Sequence, residues 1–541
     1  MQLRMEEIFD MSQPNHSDTS ELGGDWIQHP GAIAAIGLLL GIITKLLFHH
    51  HLPGVSYPVW SLACMIGLLA AARIEGVRPA GKEIVLGILA LTFSIFFAIR
   101  REPLTTFLNV VLPVFLFGLW IRTFLWGRLL DLNWLDYLIS VVLVPLEMLF
   151  RPWGVASRAR RRLVSDESAR RPFLAVLRGL LLALPILVIF TALLASADLV
   201  FGDAVENLID WLDWPLIVSW AESLFIIVVA ALVTLGAIVT ALQPVDNRQL
   251  PFEGKSLPKF LGSIESSVLL GTVNALFLVF TIIQFRYLFG GEANISAAGY
   301  TYADYARRGF GELVAVAILS LGVIWLLSMV AKRVSRTEAR VFNVLSGLMV
   351  GLLFVILASA FKRLLLYEQA YGFTQLRLYT HVAIVWMGLL FAGFLLILLR
   401  ERLSLFPFLT LATAVGFALT LNVMNVEAVI VRQNLTRVRT SGELDIEYLS
   451  WLTSDSIPAL VGGIEQTGLE DEEPIWALLA CHQFRLEARI SDRGWQSFNL
   501  SDWLAMRALD LVESNLESFT VENGWVVEGD STEEIQYCPL R

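Results

Sequence analysis

The sequence predicts an all-α fold: a polytopic transmembrane helix bundle of about twelve spans, with a small helical soluble domain at its C-terminal end. Three observations carry this. The chain of 541 residues is 56% hydrophobic and 17% charged, with a mean hydropathy of +0.65, whereas a soluble domain is about one quarter charged. Its apolar runs repeatedly approach the roughly 20 residues that an α-helix needs to cross the hydrocarbon core. Inside lipid the backbone must satisfy its own hydrogen bonds, and these runs are too long to be barrel strands, so they are helices.

Residues 1–29 form a polar tail containing Glu6, Glu7, Asp10, Asp18, Glu21 and Asp25. No basic segment leads into a short apolar core and a cleavage site, so no cleaved signal peptide is expected, and the first span acts as the targeting signal. The multi-span domain occupies residues 30–425. Its spans are read at 31–48, 57–72, 84–99, 103–121, 134–150, 173–196, 215–242, 263–289, 310–331, 341–361, 378–399 and 406–424. The segment 134–150 is short and Glu147 interrupts it; without it the two termini fall on opposite sides.

Orientation follows from Lys and Arg in the loops. Loop 151–172 has seven arginines, and Lys332, Arg333, Arg336 and Arg340 crowd another loop. Arg100, Arg101, Arg400 and Arg402 end further spans on the same expected side, which is read as cytoplasmic. Loop 197–214 has five acids and no base; its apolar residues beside Trp211 and Trp214 suggest a helix lying in the interface. Alternation then puts both termini outside, in a bacterial inner membrane. Gly37-xxx-Gly41 and Gly347-xxx-Gly351 offer close helix approach.

Residues 426–541 form the soluble domain, with 21 acids, eight arginines and no lysine, a balance of −13 within an overall −10. Such acidity disfavours nucleic acid and anionic lipid as partners of this domain. About four helices are expected. Ser454 or Asp455 would begin one of them, with Pro458 in its first turn, and Ser501 or Asp502 would cap the last. Cys481 and Cys538 pair if the domain is exported and stay as thiols if it is cytosolic; Cys64 is a small core residue.

Several motifs are considered and rejected. Gly76–Glu83 imitates a phosphate-binding loop but lacks the Ser/Thr hydroxyl and a preceding strand. Ser256–Lys259 matches Ser-x-x-Lys, but Pro258 opposes the helix that would aim the lysine. His49, His50 and His51 end the first span, and adjacent helical residues diverge, so a polar cap is favoured over a metal site. No metal and no cofactor are expected.

The stronger signals are polar groups at the outer ends of the later spans. Arg286, Arg307, Arg308, Arg363 and Arg377, with Tyr302, Tyr305, Tyr371 and Tyr379, gather on the side where the positive-inside rule predicts few bases. They either pair among themselves, Asp304 with Arg307 or Arg308 and Arg308 with Glu312, or bind an anionic group such as a lipid phosphate or a glycan. Glu368 and His381 are the candidate acid–base residues. Within the spans, Glu222, Glu265, Asn274 and Asn343 either line a polar path or hydrogen-bond between helices.

The stretches "SADLVFGD", "QFRYLFGG", "TYADYARRGFGELVAVA", "AYGFTQLRLYT", "LDIEYLSWLTSDSIPAL" and "DRGWQSFNLSDW" resemble the bacterial membrane family catalogued as domain of unknown function 4173, related to 4153. Gly494, Gln496 and Phe498 depart from the tryptophan-rich pattern associated with the family's tail. The resemblance implies a multi-spanning membrane protein with no assigned activity and no catalytic residues.

The resulting expectation is an integral membrane protein, a transporter that binds or moves an anionic lipid or cell-envelope intermediate. The partners expected are the lipid bilayer, that ligand and, for the C-terminal domain, a protein. The alternatives are a non-catalytic sensor or scaffold whose C-terminal domain docks a partner, and a membrane-embedded transferase. No catalytic constellation is recognisable.

Overall fold

The computed structural model describes residues 27–132 apart from Trp126 and Arg128, scattered positions between 137 and 204, and residues 214–243, 259–289, 310–441, 444–464, 472–490, 494–522, 525–528 and 534–538. Among the described residues, ten apolar helices form the bundle: α1 Pro30–Phe48, α2 Ser56–Ile74, α3 Ile84–Phe97, α4 Pro103–Thr123, α5 Trp214–Ala241, α6 Ser263–Phe289, α7 Phe310–Val330, α8 Arg336–Tyr371, α9 Gln375–Leu399 and α10 Phe406–Met424. Among the described residues nine are long and apolar enough to cross a membrane, and α3 is a shorter apolar helix. Ten of the twelve expected spans are thus helices; 134–150 and 173–196 lie largely outside the described residues.

The C-terminal region continues as α11 Val426–Ser441, α12 Ile446–Ser450, α13 Ile457–Val461, α14 Glu473–Ile490, α15 Leu500–Asp510 and α16 Glu513–Leu516. It then departs from the expected purely helical domain. Strands β1 Phe519–Glu522, β2 Trp525–Glu528 and β3 Glu534–Tyr537 form an antiparallel sheet in the order β1-β2-β3. Glu522 pairs with Trp525, so only the Asn523-Gly524 dipeptide separates the strands, a strong hairpin signal between short β-forming runs. Cys538 is disulfide-bonded to Cys481 of α14.

Contacts between loops sort the helix ends into two groups. At one end, Val55 N–H donates to Phe498 O, Leu500 N–H to Ala98 O and Gln375 N–H to the Tyr448 hydroxyl. This is the domain end. At the other, the far end, Gln28 and His29 N–H donate to Glu75, Ala80 N–H to Phe124 O and Lys332 N–H to Leu261 O. The 3-10 turns Leu129–Asp131 and Leu403–Leu405 pack together there.

This sorting corrects the expected alternation. Arg100 and Arg101 lie at the domain end, while Arg400 and Arg402 lie at the far end. Residue Ile27 is at the far end and the C-terminal region at the domain end, so they do not share a side. Leu132 lies at the far end and Trp214 at the domain end. Tyr137 donates to Leu129 O and the Met148 carbonyl abuts Gly236, both in the far half.

Three clusters of buried apolar residues hold the fold. One joins α1–α5, another joins α6–α10, and a third combines the ends of α9 and α10 with the C-terminal region through Leu378, Val382, Leu421, Leu449, Ile475 and Leu509. α1 and α5 run antiparallel with Gly37 and Gly41 in their seam; a Cβ on Gly41 would come within 2.5 Å of the Ile227 carbonyl oxygen. Gly351, by contrast, has open space beside it, so the second glycine pair is not a tight seam.

Candidate functional site

Among the described residues α8 is the longest element, with 36 residues and no proline inside it. Ser335 starts it with a capping box to Glu338, which satisfies two of the free N–H groups of the first turn. It stops at Gly372, whose φ of 79° is left-handed. The short 372–374 connection folds α9 back at once. Glu368 in the last turn of α8 therefore meets His381 in the second turn of α9.

Their side chains approach to 3.1 Å, Nδ1 to Oε1. Glu368 is fully buried and His381 is 9% exposed; the Phe361 ring stands edge-on to the imidazole, with centroids 4.6 Å apart. Glu368 Oε2 and His381 Nε2 are both buried without a hydrogen-bond partner. One proton can be held between the pair or exchanged at the two unpartnered atoms. Buried polar atoms without partners are costly.

Below this pair, a seam of buried polar side chains follows the parallel contact between α6 and α8. Ser359 Oγ and Arg363 Nη2 both donate to Gln284 Oε1 at 2.9 Å. Asn274 Nδ2 donates to Leu345 O at 2.9 Å. Thr281 Oγ1, Asn274 Oδ1, Ser346 Oγ and Asn343 Oδ1 are buried without partners. From Asn343 to Glu368 the seam covers about 37 Å of helix, more than the hydrocarbon thickness. At the far end it meets a cavity of about 590 Å³ lined by Arg336, Arg340, Asn343, Gly347, Leu395 and Glu401.

The described members of the expected anion cluster have internal partners. Arg377 donates to the carbonyls of Tyr371 and Gly372 and lies over the Tyr367 ring at 4.0 Å, so it closes the C-terminal end of α8. Tyr371 packs edge-on against Tyr367 and remains half exposed. Arg363 is taken into the seam, and the Tyr379 hydroxyl donates to Glu102. The side chain of Arg286, and all of Tyr302, Asp304, Tyr305, Arg307 and Arg308, lie outside the described residues.

The polar residues singled out within spans do not converge. Glu222 and Glu265 are exposed near helix ends, Glu265 accepting from Gly262 N–H. Asn274 and Asn343 alone belong to the seam. Glu222 meets His49 and His50 at the domain end, with ligand atoms all within 4.8 Å of one another.

A second assembly joins the C-terminal region to the bundle, and sequence reasoning missed it. Asp455 Oδ2 accepts the N–H groups of Arg101 and Glu102 at 2.7 and 2.9 Å, and its Oδ1 lies 3.5 Å from Arg100. Asp502 accepts from Arg101 Nε and Nη2 and from Ser454 Oγ. Neither acid is the helix cap expected: Asn499 caps α15, and Asp455 is spent on the 100–102 loop. Glu427 accepts from Gln375 Nε2, Thr453 N–H and Thr453 Oγ1. Burial pushes its carboxyl up to about 8; the Asp455 and Glu102 charges add to this and the Thr453 bonds oppose it. The available signal was the Arg-Arg-Glu run at a span end, complementary to an acidic tail.

A family model described as domain of unknown function DUF4153 matches residues 85–462. The chain belongs to the DUF4153 family. This is the relative of the 4173 family that the sequence motifs resemble, and the matched range contains Glu102, the α6–α8 seam, Glu368, His381 and Glu427. No curated protein and no solved structure matches the chain.

Proposed function

We propose that this DUF4153 member is a proton-linked membrane carrier whose cargo is an anionic amphiphile, a lipid or cell-envelope intermediate. The observation that carries the reading is the buried Glu368–His381 pair at the head of the α6–α8 seam. A buried, paired and partly unsatisfied acid and imidazole between two apolar helices is suited to proton exchange. The basic, apolar-walled cavity at the foot of the seam supports an anionic cargo with a hydrocarbon part.

We further infer that the membrane is the cytoplasmic (inner) one and that the domain end faces away from the cytoplasm. Lys82, Lys332, Arg333, Arg336, Arg340 and Arg400 gather at the far end, in keeping with the positive-inside tendency. The Cys481–Cys538 pair suits an oxidising compartment. The sensor or scaffold reading draws its support from the buried charges that lock the C-terminal region to the bundle.

The test is proton flux. The protein is reconstituted into phosphatidylglycerol-containing vesicles loaded with a pH-sensitive dye, and a potassium diffusion potential is imposed. Wild type should acidify or alkalinise the lumen faster than empty vesicles, Glu368→Gln at least about tenfold slower than wild type, and Arg400→Gln like wild type. Wild-type flux no greater than that of empty vesicles sinks the reading.

A further inference from the structure

We propose that His49, His50 and Glu222 bind a divalent transition-metal ion of the zinc class at the domain end of the α1–α5 pair. Two neighbouring histidines in a helix point about 100° apart, but here the helix has ended. α1 stops at Phe48, His49 is extended with ψ 118°, and His50 takes a left-handed φ of 60°, a conformation in which histidine is enriched among non-glycine residues. The two rings consequently face the same way, with centroids 3.8 Å apart and planes 33° from parallel.

The third ligand comes from a separate element. Gly37 and Gly41 let α1 and α5 approach closely, and this registers the start of α5 against the end of α1, delivering Glu222. The three ligand atoms lie within 4.8 Å of one another. A tetrahedral zinc site with bonds of about 2.0–2.1 Å needs its ligands about 3.4 Å apart, so side-chain rotation that draws them together by up to about 1.4 Å closes it. His50 and Glu222 are exposed and His49 half-buried, so His50 and Glu222 can make most of that movement. Ser223 Oγ lies 3.3 Å from His49 Nε2, the kind of outer partner that fixes a ligating imidazole.

Two imidazoles and one carboxylate match the donor preference of zinc and leave one position for water. The ion would staple the 49–55 loop to α5. That loop is also where the C-terminal region seats, through Ser497 Oγ to Leu52 O and Val55 N–H to Phe498 O. The staple is independent of the Glu368–His381 pair.

The experiment uses the full chain in detergent, freed of any affinity tag. Co²⁺ is titrated and its visible absorption read for a low-coordinate, nitrogen–oxygen environment; Zn²⁺ then displaces it in competition with a chromophoric chelator. Wild type should take up a single Co²⁺ per chain. His50→Ala and Glu222→Gln should each weaken uptake at least about tenfold, and His51→Ala, adjacent but outside the trio, should leave it unchanged. Gel filtration and far-ultraviolet circular dichroism confirm that the variants are folded. No stoichiometric Co²⁺ uptake by wild type, or uptake that His50→Ala and Glu222→Gln leave intact, overturns the proposal.

Discussion

Glu427 shows what a single carboxyl can do at a buried junction. Its folded pKa, about 8, stands above the ordinary value of 4.5, so the folded chain holds this proton more tightly than the unfolded chain. The stability it contributes is full below about pH 4.5 and is lost as pH rises through 8. The midpoint of thermal unfolding in detergent should therefore fall between about pH 5 and pH 8.5. Glu427→Gln, with no proton to release, should flatten that slope; a wild-type midpoint that rises across the window contradicts the assignment. Glu427 carried no visible signal in the sequence, because its surroundings are made by Gln375 and Thr453 from other elements. Glu368 and His381 did stand out, because charge inside an apolar run is anomalous wherever its partner lies.

Among elements, the two glycine pairs separate sharply. Gly41→Ala places a Cβ against the Ile227 carbonyl and Ala231, and overpacking of this kind costs about 1–3 kcal/mol. Gly351→Ala meets open space and should be neutral or stabilise the helix by up to about 1 kcal/mol. Thermal unfolding of the two variants side by side tests this, and equal effects contradict the α1–α5 seam. At the junction, Asp502→Ala strands the Arg101 guanidinium in a largely buried place, at a cost of about 3 kcal/mol or more. Limited proteolysis should then release the C-terminal region faster than in wild type. Arg101→Met combined with Asp502→Leu should recover part of the loss, because Arg101 is no longer stranded, while Arg489 and Ser454 still lose their partner. Helix positions were legible from apolar length alone. Caps and strands were not: Asn499 displaced the two expected caps because Asp502 is drawn into an ion pair, and the short strands β1–β3 were submerged in a tail read for helical spacing.

For the whole molecule, loop charges were an incomplete guide. Arg100 and Arg101 resemble cations that set orientation, yet they pair with Asp455 and Asp502, which distant sequence supplies. Counting crossings also depended on one weak segment, 134–150, which lies largely outside the described residues. The corrected order predicts that reporters active on one side of the membrane, fused before residue 27 or after the C-terminal domain, report opposite sides. Both reporting the same side would restore the original alternation.

The length of α8 has a mechanical meaning. At 36 residues it extends about 54 Å, nearly twice the hydrocarbon it crosses, and no proline divides it. It is a strut with one foot in the arginine-lined cavity and the other under Tyr371, where the following turn is pinned by Asn434 of α11. Tilting such a rod about its middle moves both tips together, so whatever grips one face of the membrane can be felt at the other without anything having crossed.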